Sequence, residues 1–387
     1  MLRDKKFWLG VVVSVFFLVL AFKDQDFGKM GDALGRVQYW ALLPALALYF
    51  LGVWFRAVRW GVLLAPLRKG IHPYHLFKIL AIGYMGNDIL PARLGDVIRV
   101  YVLSRRENVT KSATLATILV ERILDGLTML GFLAGSALFI TLDAAMENTL
   151  RGLSVVFLVG LLIFVFLAAS PERIVTLVQV ILGRSPLGRV IPQSLHERAL
   201  HMTTAFVGGL AVLRSWRGVL SVLGLSVAAW ACEAGMYYMI GSWGFHLATA
   251  TTQVPLPIHG YTMTTAAANL GTLVPSSPGY LGVFDTIAKN ILVALYHIES
   301  NLALSYVAVL HAALYFPVTF LGLFYMLRES ISWGELASLE KAEASGHAAM
   351  VDDDGEEPAP GADPPAGAQN GAAPPVRDEA TTRASRR

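Results

Sequence analysis

Six apolar runs limit what this chain can become more than any other feature. They cover residues 7–22, 40–65, 112–141, 153–169, 218–241 and 303–327. A helix needs roughly 20 apolar residues to cross the hydrocarbon of a bilayer, and backbone within hydrocarbon has to satisfy its own hydrogen bonds. The runs therefore predict an all-α polytopic membrane protein with about six spanning helices. The composition agrees, with 55% hydrophobic and only 15% charged residues, against about 25% charged in soluble domains.

Basic residues set the expected orientation. Arg3, Lys5 and Lys6 precede the first run, Arg68 and Lys69 follow the second, and Arg105, Arg106 and Lys111 precede the third. The connection 170–217 carries Arg173, Arg184, Arg189, Arg198, Arg214 and Arg217 against Glu172 and Glu197. By the positive-inside rule these segments are cytoplasmic, both termini included, in the cytoplasmic (inner) membrane of a cell. From Glu329 onward there are twelve acidic and five basic residues, leaving sixteen acidic and twenty-six basic in the body. A basic body suits anionic lipid headgroups, and dispersed arginines argue against nucleic acid. The lone Cys232 excludes a disulfide framework or a thiolate metal site. The first run lacks a small-residue cleavage site and is expected to be an uncleaved span.

Two further stretches, 72–104 and 257–298, are apolar but broken by Pro and Gly, with arms too short or too polar to span. Each is expected to be a re-entrant helical hairpin, the first entering from the cytoplasm and the second from outside. Such backbone is tolerated at membrane depth only inside protein or beside a water-filled cavity. The order over 1–141 is two spans, hairpin, span, and 142–330 repeats it from the opposite side. This predicts an inverted-topology repeat, whose broken helices mark a substrate site near the midplane. Residues 170–217 are expected to lie on the cytoplasmic interface. Residues 331–387 form a cytoplasmic tail, disordered from about 344, that is open to an unknown partner.

The breaks hold the candidate chemistry. In "GNDILPARLGDVIRVY" (86–101), Pro91 ends one helix, and the restart puts Arg93, Asp96 and Arg99 at i, i+3 and i+6 on one face. Free N–H groups at the restart and the guanidinium fork suit a lipid phosphate. The competing reading pairs Arg93 with Asp88 or Asp96. In "LVERILDGL" (119–127), Glu121 and Asp125 either repel and bind a proton or pair with Arg56, Arg59, Arg93 or Arg99. Arg56 and Arg59 in "RAVRW" (56–60) either snorkel or receive headgroups. "VPSSPGYLGVFD" (274–285) opens the backbone and offers Ser276, Ser277 and Asp285, with Asn269 upstream. Glu233, a lone acid in an apolar run, either pairs with an Arg or titrates. His246, His259, His297 and His311 lack metal-ligand spacing and read as packing or interface residues. No metal or cofactor is expected.

The four motifs, in this order, resemble the lysylphosphatidylglycerol synthase transmembrane-region family over about residues 5–330. The resemblance implies two re-entrant hairpins and a role in moving or handling polar lipids. Family members that synthesise lysyl-lipid carry a soluble aminoacyl-transferase domain. Only about sixty residues follow the last span here, so lysyl-lipid synthesis is not expected.

A candidate substrate-binding set follows for a flippase of anionic or lipid-linked substrates: Arg93, Asn87, Asp96, Arg99, Arg56, Arg59, Glu121, Arg122, Asp125, Asn269, Ser276, Ser277 and Asp285. They would stand on backbone opened by Pro91, Gly95, Pro275, Pro278, Gly279 and Gly282. The rival readings are a membrane glycosyltransferase using Asp24 and Asp26 of the first outer loop, and a non-transporting envelope scaffold. A homo-oligomer is also open.

Overall fold

The computed structural model describes residues 5–23, 25–90, 94–107, 109–140, 215–272 and 277–329, with isolated positions between 148 and 212. The expected span 153–169, most of the connection 170–217 and the tail lie outside the described residues. The helices are α1 (Lys5–Phe22), α2 (Phe27–Gly35), α3 (Leu42–Leu64), α4 (Pro73–Ile89), α5 (Leu94–Glu107) and α6 (Lys111–Ala137). After the connection come α7 (Trp216–Tyr238), α8 (Ile258–Gly271), α9 (Val283–Tyr296) and α10 (Ser300–Arg328). No strand forms among the described residues; isolated bridges join Ala248 to Pro255 and Thr249 to Ile298. The chain is an all-α membrane protein. Helices at Tyr39–Leu64, Trp216–Gly244 and Ser300–Arg328 are long and apolar enough to cross a bilayer.

Local chemistry sets the helix ends. His72 caps α4 ahead of Pro73 at its first turn, Thr110 caps α6 and Ser215 caps α7. Asp26 caps α2 by accepting the N–H groups of Gly28 and Lys29.

Both broken stretches are antiparallel helix pairs. At the tip of the first, Gly95 N–H donates to Asn87 Oδ1 at 2.9 Å, and at its base His75 Nδ1 lies 3.1 Å from Glu107 Oε1. The two helices touch backbone to backbone. A Cβ on Gly95 would stand 1.8 Å from the Gly83 carbonyl oxygen, so no larger residue fits there. In the second pair, the rings of His259 and Tyr296 close the base 5.8 Å apart. A short 3₁₀ turn, Pro278–Tyr280, forms the tip with Gly279 at φ 72° and Gly282 at φ 84°. Both angles lie in the left-handed region that glycine enters without steric cost.

The helices of the two halves pack reciprocally. The long helices α3 and α7 lie side by side and antiparallel, joined by Arg56 to Glu233 and Arg59 to Ser226. Helix α4 of the first hairpin packs on α10, where a Cβ at Gly322 would meet the Ala81 carbonyl at 2.3 Å. Its counterpart α8 packs on α6 through Ser136 and Thr262, 2.7 Å apart. Small and hydroxyl residues at these crossings let helices approach closely in a setting without a hydrophobic drive between them. Helix α1 seals the outer side of α9, where Thr286 and Lys289 donate to the Phe17 and Ala21 carbonyls.

Candidate functional site

The two hairpin tips converge on α10. His311, Tyr315 and Thr319 follow one another at i, i+4 and i+8, so they share one helix face. His311 Nε2 lies 2.8 Å from the Gly279 carbonyl of the second tip. One turn on, Tyr315 donates to the Asp88 carbonyl of the first tip at 3.1 Å. Another turn on, Thr319 donates to the Asp88 carboxylate at 2.7 Å. Pro317 lies within this stretch and leaves a carbonyl of α10 without its helical partner.

Beside this seam is a cavity of about 240 Å³, walled by α3, α4, α5, α6, α7, α8, α9 and α10. It exposes Asn87 and Asp88 of the first tip, Gly279 and Tyr280 of the second, and Asn269 of α8. Arg56, Asp96, Arg122, Asp125, Glu233 and His311 supply its ionisable groups, and Tyr49, Tyr84, Trp230, Phe284 and Tyr315 its aromatic walls.

The charges that line the cavity and those behind its wall form one paired network. Arg59 Nη1 bonds Asp125 Oδ1 at 2.6 Å and the Ser226 hydroxyl at 2.9 Å, with Glu121 at 3.7 Å. Arg99 bonds Glu121 and stacks 4.2 Å over the Trp60 ring. Arg122 bonds Asp96 at 2.7 Å. Arg56 bonds Glu233 at 2.7 Å and lies 4.5 Å over Trp230, whose indole N–H donates to Asp125. Asn269 donates to the other oxygen of Glu233 at 2.9 Å. Charges this deep are tolerated because each is paired and hydrogen-bonded.

This geometry separates the readings that the sequence left open. Glu121 and Asp125 are ion-paired rather than facing each other as a repelling couple. Arg56 and Arg59 do not snorkel, being 6% and 1% exposed. Asn87 closes the first tip by taking the Gly95 N–H, so that donor of the restarted helix is already engaged. Ser277 is tied to α1, its N–H donating to Ser14 Oγ at 2.9 Å. Asp285 caps the N-terminus of α9 through Gly282 N–H at 2.8 Å and faces His311. Arg59, Arg99 and Glu121 stand behind the cavity wall, whereas Arg56, Asn87, Asp96, Arg122, Asp125 and Asn269 line it. Pro91, Arg93, Pro275, Ser276 and Asp24 lie outside the described residues.

Sequence reasoning missed Asp88, Glu233 and His311 as members of the set. Glu233 carried the one legible signal, an acid inside an apolar run. His311 carried none, because its partners are remote in sequence.

Among known proteins, the chain is 25% identical over 344 residues to the glycosyltransferase AglD of Haloferax volcanii, covering 81% of this chain and 52% of that protein. It is 26% identical over 100 residues to a UPF0104 membrane protein of Methanothermobacter thermautotrophicus, covering 25% of this chain and 30% of that protein. The chain thus spans about half the length, or less, of these curated relatives. Residues 7–322 match the family described as lysylphosphatidylglycerol synthase TM region. With most of its length in that match, the chain belongs to the lysylphosphatidylglycerol synthase transmembrane-region family.

Proposed function

We propose that this protein is a lipid transporter that carries a polar, anionic or lipid-linked headgroup across the cytoplasmic membrane. The observation that carries this reading is the cavity between two hairpin tips, with charged walls inside an otherwise apolar helix bundle. Such a cavity offers a headgroup hydrogen bonds while acyl chains remain in lipid. The reciprocal packing of α4 on α10 and α8 on α6 supports an inverted repeat with both hairpins re-entrant, and such repeats carry sites at their interface. In this reading both termini are cytoplasmic, and the two halves rock around the cavity. Arg122 and Arg56 face the headgroup from the cavity wall, and Arg93 is the residue assigned to bind its phosphate. Membrane lipid is the partner, and the chain needs no cofactor.

The test is reconstitution in liposomes with fluorescent phospholipid or polyprenyl-phosphate lipid. Transbilayer movement faster than in empty liposomes supports the reading; no acceleration for any headgroup class overturns it. Arg93→Ala should abolish the movement, and Arg93→Lys should restore part of it, since an ammonium supplies charge without the fork.

A second reading, membrane glycosyl transfer, is favoured by the similarity to AglD. It would need Asp24 and Asp26 as acids in the first outer loop. Asp26 is already engaged in capping α2, which favours transport. Sugar transfer from a lipid-linked donor in the same liposomes, lost in Asp24→Ala, would decide for it.

A further inference from the structure

His311 sits where a proton is required. Its Nε2 faces the Gly279 carbonyl at 2.8 Å, and its Nδ1 faces Asp285 Oδ1 at 2.9 Å. A carbonyl oxygen only accepts, so Nε2 carries hydrogen. Asp285 stands in the first turn of α9 with its other oxygen accepting the Gly282 N–H. A carboxylate likewise only accepts. Nδ1 therefore donates as well, and the ring is an imidazolium. A neutral imidazole has one N–H and would have to give up Gly279 or set a lone pair against Asp285.

The charged surroundings fit such a role. Asp285 meets the ring from α9, and Asp88 of α4 lines the same cavity. The aromatic ring of Phe284 covers one side at 4.8 Å. Tyr315 is the neighbour on its own helix, and the Arg56–Glu233 pair stands across the cavity from α3 and α7. Lys289, also on α9, is bound to Ala21 of α1. Among the described residues no cation pairs with the Asp88 carboxylate, which is served by the Thr319 hydroxyl.

What the ring holds is a turn that needs holding. Gly279, Tyr280 and Gly282 have φ of 72°, 58° and 84°. A left-handed tyrosine persists only where its surroundings impose it. Gly279 and Tyr280 form part of the cavity wall.

We propose that His311, with Asp285 and Asp88 around it, is a proton-binding site that latches the second hairpin tip, so that proton release frees the Gly279–Tyr280 wall of the cavity. On release the Nε2–H bond facing the Gly279 carbonyl breaks, the electron pair stays on Nε2, the proton passes to solvent, and Nδ1–H stays on Asp285. Low pH keeps the tip closed, and rising pH opens it. The latch stands on geometry alone; its role as the coupling step of transport rests on the transporter reading.

The experiment uses the full chain in phosphatidylcholine–phosphatidylglycerol liposomes, labelled with ¹⁵N-histidine, with the His311 resonances identified by their loss in His311→Gln. Across about pH 5 to 9, which brackets ordinary histidine titration, His311 should pass from imidazolium to neutral. Intrinsic-rate-corrected hydrogen exchange of amides 279–282 should accelerate on the order of tenfold over the same interval. His311→Gln should exchange fast at every pH. Asp285→Asn should move the transition to lower pH and serves if His311→Gln fails to fold. A neutral His311 throughout with a protected tip overturns the proposal, as does tip protection that is unchanged in both variants. Lipid movement in the same liposomes separates the two readings. Movement that is pH-independent and intact in His311→Gln sinks the coupling role of the latch and spares the transporter. A titrating latch without movement of any lipid does the reverse.

Discussion

Arg56 and Glu233 join the antiparallel helices α3 and α7, with Nη2 2.7 Å from Oε2 and both side chains buried. Trp230 stacks on the guanidinium, and Asn269 takes the free carboxylate oxygen. One bond thus connects α3, α7 and the second hairpin. Removing either member leaves a buried charge without its partner, a loss of about 3–5 kcal/mol. Arg56→Gln and Glu233→Gln should each lower the thermal unfolding temperature in detergent sharply, and the double variant should recover part of it. An additive double variant would show that the pair is not coupled.

Gly95 lies where α4 and α5 touch. A Cβ there would overlap the Gly83 carbonyl at 1.8 Å and the Asn87 side chain at 2.6 Å. Backbone cannot yield as a flexible side chain can, so Gly95→Ala should force the hairpin open. Size-exclusion profiles of the expressed variant should show a loss of monodisperse protein. A normal profile with unchanged unfolding temperature would refute this contact.

Thr319 supplies a hydroxyl to the Asp88 carboxylate. Thr319→Val keeps the shape and removes the donor, at a cost of about 1–3 kcal/mol for the carboxylate left unserved. Thr319→Ser keeps the donor and should stay close to the parent. Paired thermal unfolding curves check both.

Asp26 caps α2, and its own N–H donates to Asn301 Oδ1 at 2.7 Å. Asp26→Ala should cost about 1 kcal/mol of stability and leave lipid movement at the parent rate. Abolished function with an intact fold would favour the transferase reading instead.

Glu329, just past α10, binds Lys78 of α4 and lies 3.1 Å from Arg106 of α5. The Lys78 hydrogen bond, more than the Arg106 charge, holds its carboxyl below the usual glutamate range. Because the folded-state value is depressed, the stabilisation is complete above the ordinary glutamate value, about 4.3. It is lost as pH falls through the lowered one. Glu329→Gln should unfold at a lower temperature than the parent near neutrality, by the effect of at most about 1 kcal/mol expected of an exposed cluster. The two curves should converge in acid.

Helix content, the broken stretches and the candidate charges were all legible in the residues. The breaks expected within 72–104 and 257–298 fall between α4 and α5 and between α8 and α9, where Pro and Gly cluster with polar residues in the apolar pattern. Arg56, Arg59, Glu121 and Asp125 stood out for a related reason, since a charge in an apolar run has to be answered by something. Which group answers it was not legible. Glu121 is met by Arg99 and Arg59, and Glu233 by Arg56 across 177 positions. His311 gave no local sign of its role, because both of its acceptors arrive from a tip more than twenty residues earlier.

Alone, then, the sequence determined a membrane-embedded all-α chain with two interrupted helices, since hydrocarbon leaves few other ways to satisfy a backbone. Only the tertiary structure decided that the two interruptions meet on one face of α10 and enclose a cavity. That outcome depends on helix–helix contacts between distant segments, and ion-pair and hydrogen-bond energies are set by ångström distances that no local pattern encodes.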